Sequence, residues 1–183
     1  EVTKAVAIIC NAKCQRPGVC NAAENLFIHR SAVDMHLPVI AKRLLAEKVE
    51  LRVDPSLTAT FKDWGIPCKE ATDEDFFTEF LGLVIAIKPV DSVADAIQMI
   101  NHYGSGHSDA IITENRESAE TFLRGVDSAT VYWNASTRFT DGFEFGMGAE
   151  IGISTDRLHA RGPMGLRELC SYKFLIYGKG EVR

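Results

Sequence analysis

The chain has 183 residues, of which 46% are hydrophobic and 25% are charged. These proportions are typical of one globular domain with a substantial core. The net charge of −5 argues against a general nucleic-acid-binding protein, which needs a basic surface. The longest apolar run, Leu81–Ile87, has the length of a strand and falls well short of the roughly 20 residues of a membrane helix, so we expect no membrane partner.

The five cysteines are an odd number at irregular spacing, which favours a reducing cytoplasm over a disulfide framework. The chain opens with Glu1-Val2-Thr3-Lys4, where no secretory signal is visible. Cys10, Cys14 and Cys20 are spaced C-x3-C-x5-C, which is not a usual zinc pattern. Cys10 also lies on the apolar side of a predicted helix, so we predict no metal site.

Helical spacing begins at the first residues and predicts a helix that runs to about Lys13 and ends before Pro17. Because no capping residue precedes this helix, we interpret the chain as a portion of a longer protein. The following predicted elements are a buried strand at Asn25–His29, a helix from Pro38 to Lys48 and a short strand at Glu50–Val53. Residues 54–80 are acidic and are predicted to be irregular.

The pattern becomes regular from Leu83 onward. It predicts strands at Leu83–Lys88, Asp109–Thr113 and Ala129–Trp133, separated by helices from Asp91 or Ser92 to Gly104 and from about Arg116 to Arg124. This β-α-β-α-β order predicts an α/β fold with parallel strands and right-handed crossovers. Residues 134–171 form a long glycine-rich loop region, a feature that tends to be functional in a compact domain. Tyr172–Tyr177 alternates well enough to predict a final edge strand.

Cys20 is the first candidate for chemistry. It follows Pro17 and Gly18, which break the helical pattern and place the thiol in a loop. Arg16, four residues earlier, and any nearby helix N-terminus would favour the reactive thiolate. The alternative is a packed or incidental thiol.

A second group of polar residues lies in the long loop region. Arg138, His159 and Arg161 would suit a phosphate or carboxylate ligand, together with nearby hydroxyl groups. The alternative is a solvated loop with ordinary surface charges. His107 could be an acid–base group or a hydrogen-bonded structural residue, and Glu79 a ligand or a surface acid. The glycines near residues 104–106 and 146–148 do not follow a strand and open a helix, so neither predicts a phosphate-binding loop.

Several segments resemble the γ-glutamyl phosphate reductase (glutamate-5-semialdehyde dehydrogenase) family of the aldehyde dehydrogenase superfamily. Gln15–Ala22 resembles the family's nucleophile loop, and Ile100–Ile111 resembles its signature segment. The runs Asn134–Phe139, Gly148–Thr155 and His159–Pro163 follow in the family's order. Met99 stands where the family usually has His, and Cys14 stands where Thr or Val is more usual.

The resemblance implies a three-layer αβα catalytic domain with a mostly parallel sheet over residues 1–170. Residues 171–183 would be a C-terminal strand used in oligomerisation, giving a homo-oligomer that is a dimer or a tetramer. The cofactor-binding domain would be absent from this chain, so the chain alone is expected to be inactive.

The resemblance also implies an activity, which is the NADPH-dependent reduction of L-glutamyl 5-phosphate to L-glutamate 5-semialdehyde and phosphate in proline biosynthesis. Cys20 would form a thioester, and its backbone N–H would be one donor to the oxyanion. The resemblance also places Glu79, with Phe80, at the nicotinamide ribose. Within the matching motifs, the chemistry of the side chains makes Arg138, His159 and Arg161 candidates for the substrate's carboxylate and phosphate and Glu150 a candidate for its α-ammonium. Asn134 and Ser136 are candidates for further substrate contacts. Two alternatives stay open: a relative acting on another acyl group, and a folded piece that only oligomerises.

Overall fold

A computed structural model describes residues 1–183. The helices are α1 (Val2–Cys14), α2 (Val33–Ala46), α3 (Pro55–Asp63), α4 (Asp73–Phe77), α5 (Val93–Tyr103) and α6 (Arg116–Gly125). The strands are β1 (Asn25–His29), β2 (Glu50–Val53), β3 (Lys69–Glu70), β4 (Val84–Val90), β5 (Ser108–Ile111), β6 (Thr130–Trp133), β7 (Gly152–Ser154) and β8 (Gly162–Met164). Short 3-10 helices occupy Arg30–Ala32, Thr137–Phe139 and Arg167–Leu169.

The predicted α/β class with mostly parallel strands is confirmed. Four parallel strands form one sheet in the order β1-β4-β2-β3, and β5 and β6 form a second parallel pair. The short β7–β8 hairpin is antiparallel. Because parallel strands need crossovers, helices lie between most of them in the chain. The edge strands β1 and β5 both line a largely apolar cavity of about 470 Å³.

The main core lies around β4 and the α2 helix. Ile85 and Ile87 of β4 have no exposed surface, and they share one apolar cluster with Leu37 and Leu44 of α2 and with Phe61 of α3. A strand buried on both faces reads as a continuous apolar run, which is why β4 is close to its predicted position.

The predicted start of α2 at Pro38 is wrong, because the helix begins five residues earlier at Val33 and contains Pro38 in its interior. An interior proline costs a helix about 3 kcal/mol. Burial of Leu37 and Leu44, which have no exposed surface, offsets that cost. The helix ends at Ala46 rather than Lys48, because Lys48 adopts a φ of 65°, which a helix cannot contain.

The prediction of an irregular segment at residues 54–80 is also wrong. Asp54 caps α3 by accepting the Ser56 N–H at 3.0 Å, and proline stands at the first position of that helix. Thr72 and Asp75 form a capping box for α4. These helices are short, so their caps specify them more strongly than their apolar periodicity does.

Tyr172–Tyr177 forms no strand here, and every residue from 171 to 183 is exposed. An isolated strand has no partner for its backbone groups. A strand at Tyr172–Tyr177 would therefore need a partner strand from outside this chain. The long loop region before it contains the β7–β8 hairpin, which the sequence pattern did not predict. None of the helices combines the length and the apolar character needed to cross a membrane.

Candidate active site

Cys20 lies at an exposed turn between α1 and β1. The Ala22 N–H donates to the Val19 carbonyl at 3.0 Å, which closes the turn. The Ala23 N–H donates to the Ala12 carbonyl, also at 3.0 Å, so the chain returns to the end of α1. The thiol therefore stands at the tip of a closed loop, which we call the thiol loop (residues 15–23).

The 3-10 helix at Thr137–Phe139 holds the thiol loop from the other side. Asn21 donates from Nδ2 to the Thr140 carbonyl at 2.8 Å, and its own carbonyl accepts the Thr137 hydroxyl at 2.7 Å. The Arg138 guanidinium donates to Asn21 Oδ1 and, at 3.1 Å, to Gln15 Oε1. The residue after Cys20 is thus fixed by a segment more than a hundred residues away in sequence.

The prediction that the surroundings of Cys20 favour its thiolate is wrong, because they raise the pKa of the thiol. Burial of the thiol by its neighbours raises the pKa of Cys20, and the carboxylates of Glu150 and Glu79 raise it further. The Cys20 backbone N–H and the Arg138 guanidinium act in the opposite direction without overcoming them. The cation near the sulfur is Arg138, whereas the exposed Arg16 does not contribute. The thiol form therefore prevails near neutral pH in this chain.

Two carboxylates predicted as site residues, Glu79 and Glu150, raise the pKa of the Cys20 thiol. Glu79 is exposed just after α4, and no group of the chain donates a hydrogen bond to its carboxylate. Glu150 accepts the Gly142 N–H at 3.0 Å. A Cβ on Gly142 would lie 2.3 Å from the Ala149 carbonyl oxygen, so only glycine permits this approach. Phe80 packs with its ring 4.9 Å below the Arg52 guanidinium carbon.

Asn134 and Ser136 have local partners in the structure. Asn134 has a φ of 54°, and its Oδ1 accepts the Thr113 N–H at 3.0 Å while its Nδ2 donates to the Thr113 carbonyl at 2.9 Å. Ser136 is buried and accepts the Arg138 N–H at 3.2 Å. Asn134 therefore joins the end of β6 to Thr113, and Ser136 caps the 3-10 helix at Thr137–Phe139. Their substrate contacts stay predictions.

The three cationic residues predicted to share an anionic ligand are not brought together. His159 Nε2 lies 2.8 Å from the Glu168 carbonyl oxygen. Arg161 donates to Asp127 Oδ1 at 2.9 Å and to the Asp127 carbonyl at 2.6 Å. The β7–β8 hairpin carries Arg161 to the loop after α6, so of the three residues Arg138 is the one that acts on Cys20.

A partly buried chain of hydroxyl groups near the site was not predicted. His107 Nδ1 lies 2.7 Å from Ser108 Oγ, which lies 2.6 Å from Thr140 Oγ1, which in turn lies 2.8 Å from Tyr132 Oη. Ser108 and Tyr132 stand on neighbouring strands, β5 and β6, but Thr140 joins them only through the tertiary structure. His107 was the one residue of this chain of groups that the sequence singled out, either as an acid–base group or as a hydrogen-bonded structural residue.

No group of three or more His, Cys, Asp or Glu side chains is arranged to hold a metal ion. Cys10 and Cys14 are half-buried and pack against the main apolar core, whereas Cys20 is exposed. The three N-terminal cysteines therefore have different surroundings, and Cys20 is the one that is exposed.

Comparison with known proteins places this geometry in a family. Residues 70–173 match the aldehyde dehydrogenase family, and the chain belongs to that family. Gamma-glutamyl phosphate reductase of Caldicellulosiruptor bescii is 58% identical over 179 residues, which are 98% of this chain and 43% of that protein. Its counterpart in Enterococcus faecalis is 56% identical over 183 residues, which are 100% of this chain and 43% of that protein. The resemblance found in the sequence is thereby confirmed, and the chain spans less than half the length of these relatives.

The crystal structure of gamma-glutamyl phosphate reductase from Thermotoga maritima has the same fold. It superposes with a TM-score of 0.92 at 50% identity and covers 100% of this chain and 43% of that one. Lactaldehyde dehydrogenase, at 18% identity and a TM-score of 0.57 over 74% of this chain and 37% of that one, shares the fold alone. The α/β fold of this chain is thus shared with solved dehydrogenases.

Proposed function

We propose that this chain is the thiol-bearing part of an enzyme that reduces L-glutamyl 5-phosphate to L-glutamate 5-semialdehyde, with release of phosphate, in proline biosynthesis. The observation that carries the proposal is the exposed Cys20 at the tip of a loop held by Arg138, in a chain 58% identical to a protein named gamma-glutamyl phosphate reductase. A thiol at such a turn is accessible to an acyl carbon, as covalent catalysis requires.

The first step is acyl transfer to sulfur. The Cys20 thiolate attacks the acyl carbon of the substrate, a carbon–sulfur bond forms, and the carbon–oxygen bond to the phosphate breaks as phosphate leaves. The Cys20 backbone N–H is a donor for the oxyanion of the tetrahedral state. Arg138 lowers the pKa of the thiol, and its guanidinium would stabilise the departing phosphate.

Ionisation of the thiol is coupled to binding in this proposal. In the chain without substrate, the negative charges of Glu150 and Glu79 raise the pKa of Cys20. A substrate α-ammonium at Glu150 would neutralise the larger of these two charge effects, because opposite charges at short range cancel in their action on a third group. The α-ammonium would therefore act to lower the pKa of Cys20 and favour the thiolate.

Among the residues of this chain, Glu79 fits the ribose of a nicotinamide cofactor. Glu79 offers an exposed carboxylate free of hydrogen bonds within the chain, which suits the hydroxyl groups of a ribose. Glu79, with Phe80 beside it, would hold the cofactor there, and its remaining contacts are proposed to lie in the part of the relatives that this chain does not span. When bound, NADPH supplies the hydride that reduces the thioester to the aldehyde. A dehydrogenase of this fold from Pseudomonas syringae has been solved with NAD+.

Residues 171–183 are proposed to mediate self-association in the cytoplasmic enzyme. Tyr172, Phe174 and Ile176 expose 85%, 81% and 90% of their surface. An apolar segment this exposed marks an interaction site. A strand that pairs with a second copy would satisfy both its side chains and its backbone.

Kinetics of the full-length enzyme that contains this chain test the proposal. The substrates are glutamate 5-semialdehyde, phosphate and NADP+, with NADPH formation as the readout, and the variants are Cys20→Ala and the matched control Cys170→Ala. We expect phosphate-dependent turnover that Cys20→Ala abolishes and Cys170→Ala preserves. Preferential turnover of a different aldehyde would indicate a relative that acts on another acyl group. Full activity of Cys20→Ala would refute the thioester intermediate. The 183-residue chain alone is expected to show no turnover.

A further inference from the structure

Cys10 and Cys14 lie on one face of α1. The two residues are four positions apart in this helix, so their side chains are neighbours on its surface. Both are half-buried and pack against the main apolar core. Both also line an open groove of about 590 Å³ that is formed by α1 and the end of α2. The two thiols therefore reach the same accessible space.

The end of α1 is held in place, which fixes the spacing of the two thiols. The Gln15 N–H donates to the Asn11 carbonyl at 3.4 Å, so the helical pattern continues past Cys14. The Ala23 N–H donates to the Ala12 carbonyl at 3.0 Å and ties the same turn to the start of β1. A pair of ligands carried on such a helix is placed more precisely than a pair carried on loops.

The spacing of Cys10 and Cys14 is unfavourable for a disulfide. Side chains four positions apart in a helix have their Cβ atoms about 5–6 Å apart, whereas a disulfide needs about 3.5–4.5 Å. Closing that bond would distort the last turns of α1. One large atom between the two sulfurs spans the distance more easily, because two bonds then replace the single sulfur–sulfur bond.

The number and kind of ligands determine which ion suits this pair. Zinc takes four ligands in structural sites, and no group of three or more His, Cys, Asp or Glu side chains is arranged to hold a metal ion. Arg43 and Glu47 also line the groove, but they are paired with each other. Thiolates are soft ligands that select Cu(I), an ion that two thiolates in a line can satisfy. Such an ion does not require the zinc spacing that the sequence lacks.

We propose that Cys10 and Cys14 together bind one soft monovalent cation of the Cu(I) type in a two-coordinate site. Binding breaks two S–H bonds, forms two sulfur–metal bonds and releases two protons to the solvent, and no group changes its oxidation state. Because Cys20 takes no part, the inference goes beyond the proposed function and does not depend on it. Cys14 stands where the family usually has Thr or Val, so the resemblance does not imply this pair.

Single substitutions test whether the two thiols act together. Cys10→Ala and Cys14→Ala each remove one ligand and place the best helix former in α1. Cys68→Ala is the matched control, because Cys68 is also half-buried and packs against the same core but does not line the groove. All three are made in a background of the full-length enzyme that carries Cys20→Ser and Cys170→Ser, which removes the two exposed thiols of this chain.

The measurement is competition for Cu(I) alone between the enzyme and the chelator bicinchoninate, with oxygen excluded. We expect Cys10→Ala and Cys14→Ala alike to weaken the binding of one Cu(I) per chain by at least about 100-fold, because even a group that only supports a metal ligand is worth about 10- to 100-fold. Cys68→Ala, which removes no ligand, should match the background enzyme within about twofold.

Binding that survives either single substitution would overturn the proposal, and so would a background enzyme that holds no more Cu(I) than these variants. A loss of the same size in Cys68→Ala would also overturn it. Thermal unfolding shows whether the variants fold. If they do not, alkylation of the wild-type enzyme by N-ethylmaleimide decides. Peptide mass spectrometry should then show that Cu(I) protects Cys10 and Cys14 together and leaves Cys68 as reactive as before, and protection of only one of the two, or of neither, would refute the shared site.

Discussion

Lys13 and Glu24 close the base of the thiol loop through a buried ion pair. Lys13 Nζ lies 2.5 Å from Glu24 Oε2, and the Lys13 side chain has no exposed surface. Burial lowers the pKa of Lys13 and raises the pKa of Glu24, in both cases against the attraction between the two charges. The rest of the fold therefore holds this pair together, and the pair joins the last turn of α1 to the residue that precedes β1.

Removing one partner of this pair is expected to be far more harmful than removing both. Lys13→Met leaves a buried carboxylate uncompensated and should reduce the free energy of unfolding by about 3–5 kcal/mol, whereas Lys13→Met with Glu24→Leu should recover most of the loss. Urea unfolding of the single and double variants measures both values. A single variant as stable as the wild type would show that the pair does not constrain the loop.

The carboxylate of Glu150 is expected to slow alkylation of Cys20. Because Glu150 raises the pKa of Cys20, Glu150→Gln should lower it, so the thiolate fraction and the rate of iodoacetamide modification rise at a given pH. At pH 7.5 we expect an increase of about two- to fivefold, as one partly screened charge interaction allows. Arg138→Met removes a cation that lowers this pKa and should slow the reaction.

Mass spectrometry of the modified peptide follows these rates from pH 6 to pH 10. Glu144→Gln is the matched control, since Glu144 is exposed on the same loop and is not among the groups that shift the pKa of Cys20. If Glu150→Gln and Glu144→Gln alkylate at the same rate as the unchanged chain, Glu150 does not face the thiol.

Asn134 is expected to contribute to stability through Thr113. Asn134→Ala loses both hydrogen bonds to Thr113 and places alanine at a positive φ, so the free energy of unfolding should fall by about 1–3 kcal/mol. Asn134→Gly relieves the backbone strain and should lose less. Thermal unfolding shows which of the two variants is the more stable. An unchanged stability of Asn134→Ala, together with a raised KM in the full-length enzyme, would support the substrate contact predicted from the family resemblance.

Residues 171–183 are expected to act between molecules and not within one. Deleting them should change the free energy of unfolding of the chain by less than about 0.5 kcal/mol, because exposed surface contributes little to folding. The same deletion should abolish concentration-dependent association in sedimentation velocity. A chain that stays associated without these residues would place the interface elsewhere.

The sequence was most informative where one local signal decides the outcome. Serine at position 92 caps α5 by accepting the Asp95 N–H at 3.0 Å, as predicted for Asp91 or Ser92. The apolar run at β4 and the break before Cys20 were also read correctly, because strand burial and loop formation depend on neighbouring residues. Pro38 misled the prediction of α2, since burial along the whole helix outweighed the local preference of one residue.

Composition, periodicity and the order of motifs therefore determined the α/β class, the family and the identity of the candidate nucleophile. Only the tertiary structure decided the charge around that nucleophile. Arg138 is 117 residues from Asn21 in sequence, yet it lies beside the thiol loop, whereas Arg161 is paired with Asp127. Electrostatic energies depend on distances in space and on burial, so a sequence could suggest the charged groups of this site but not the direction in which they shift the pKa of Cys20.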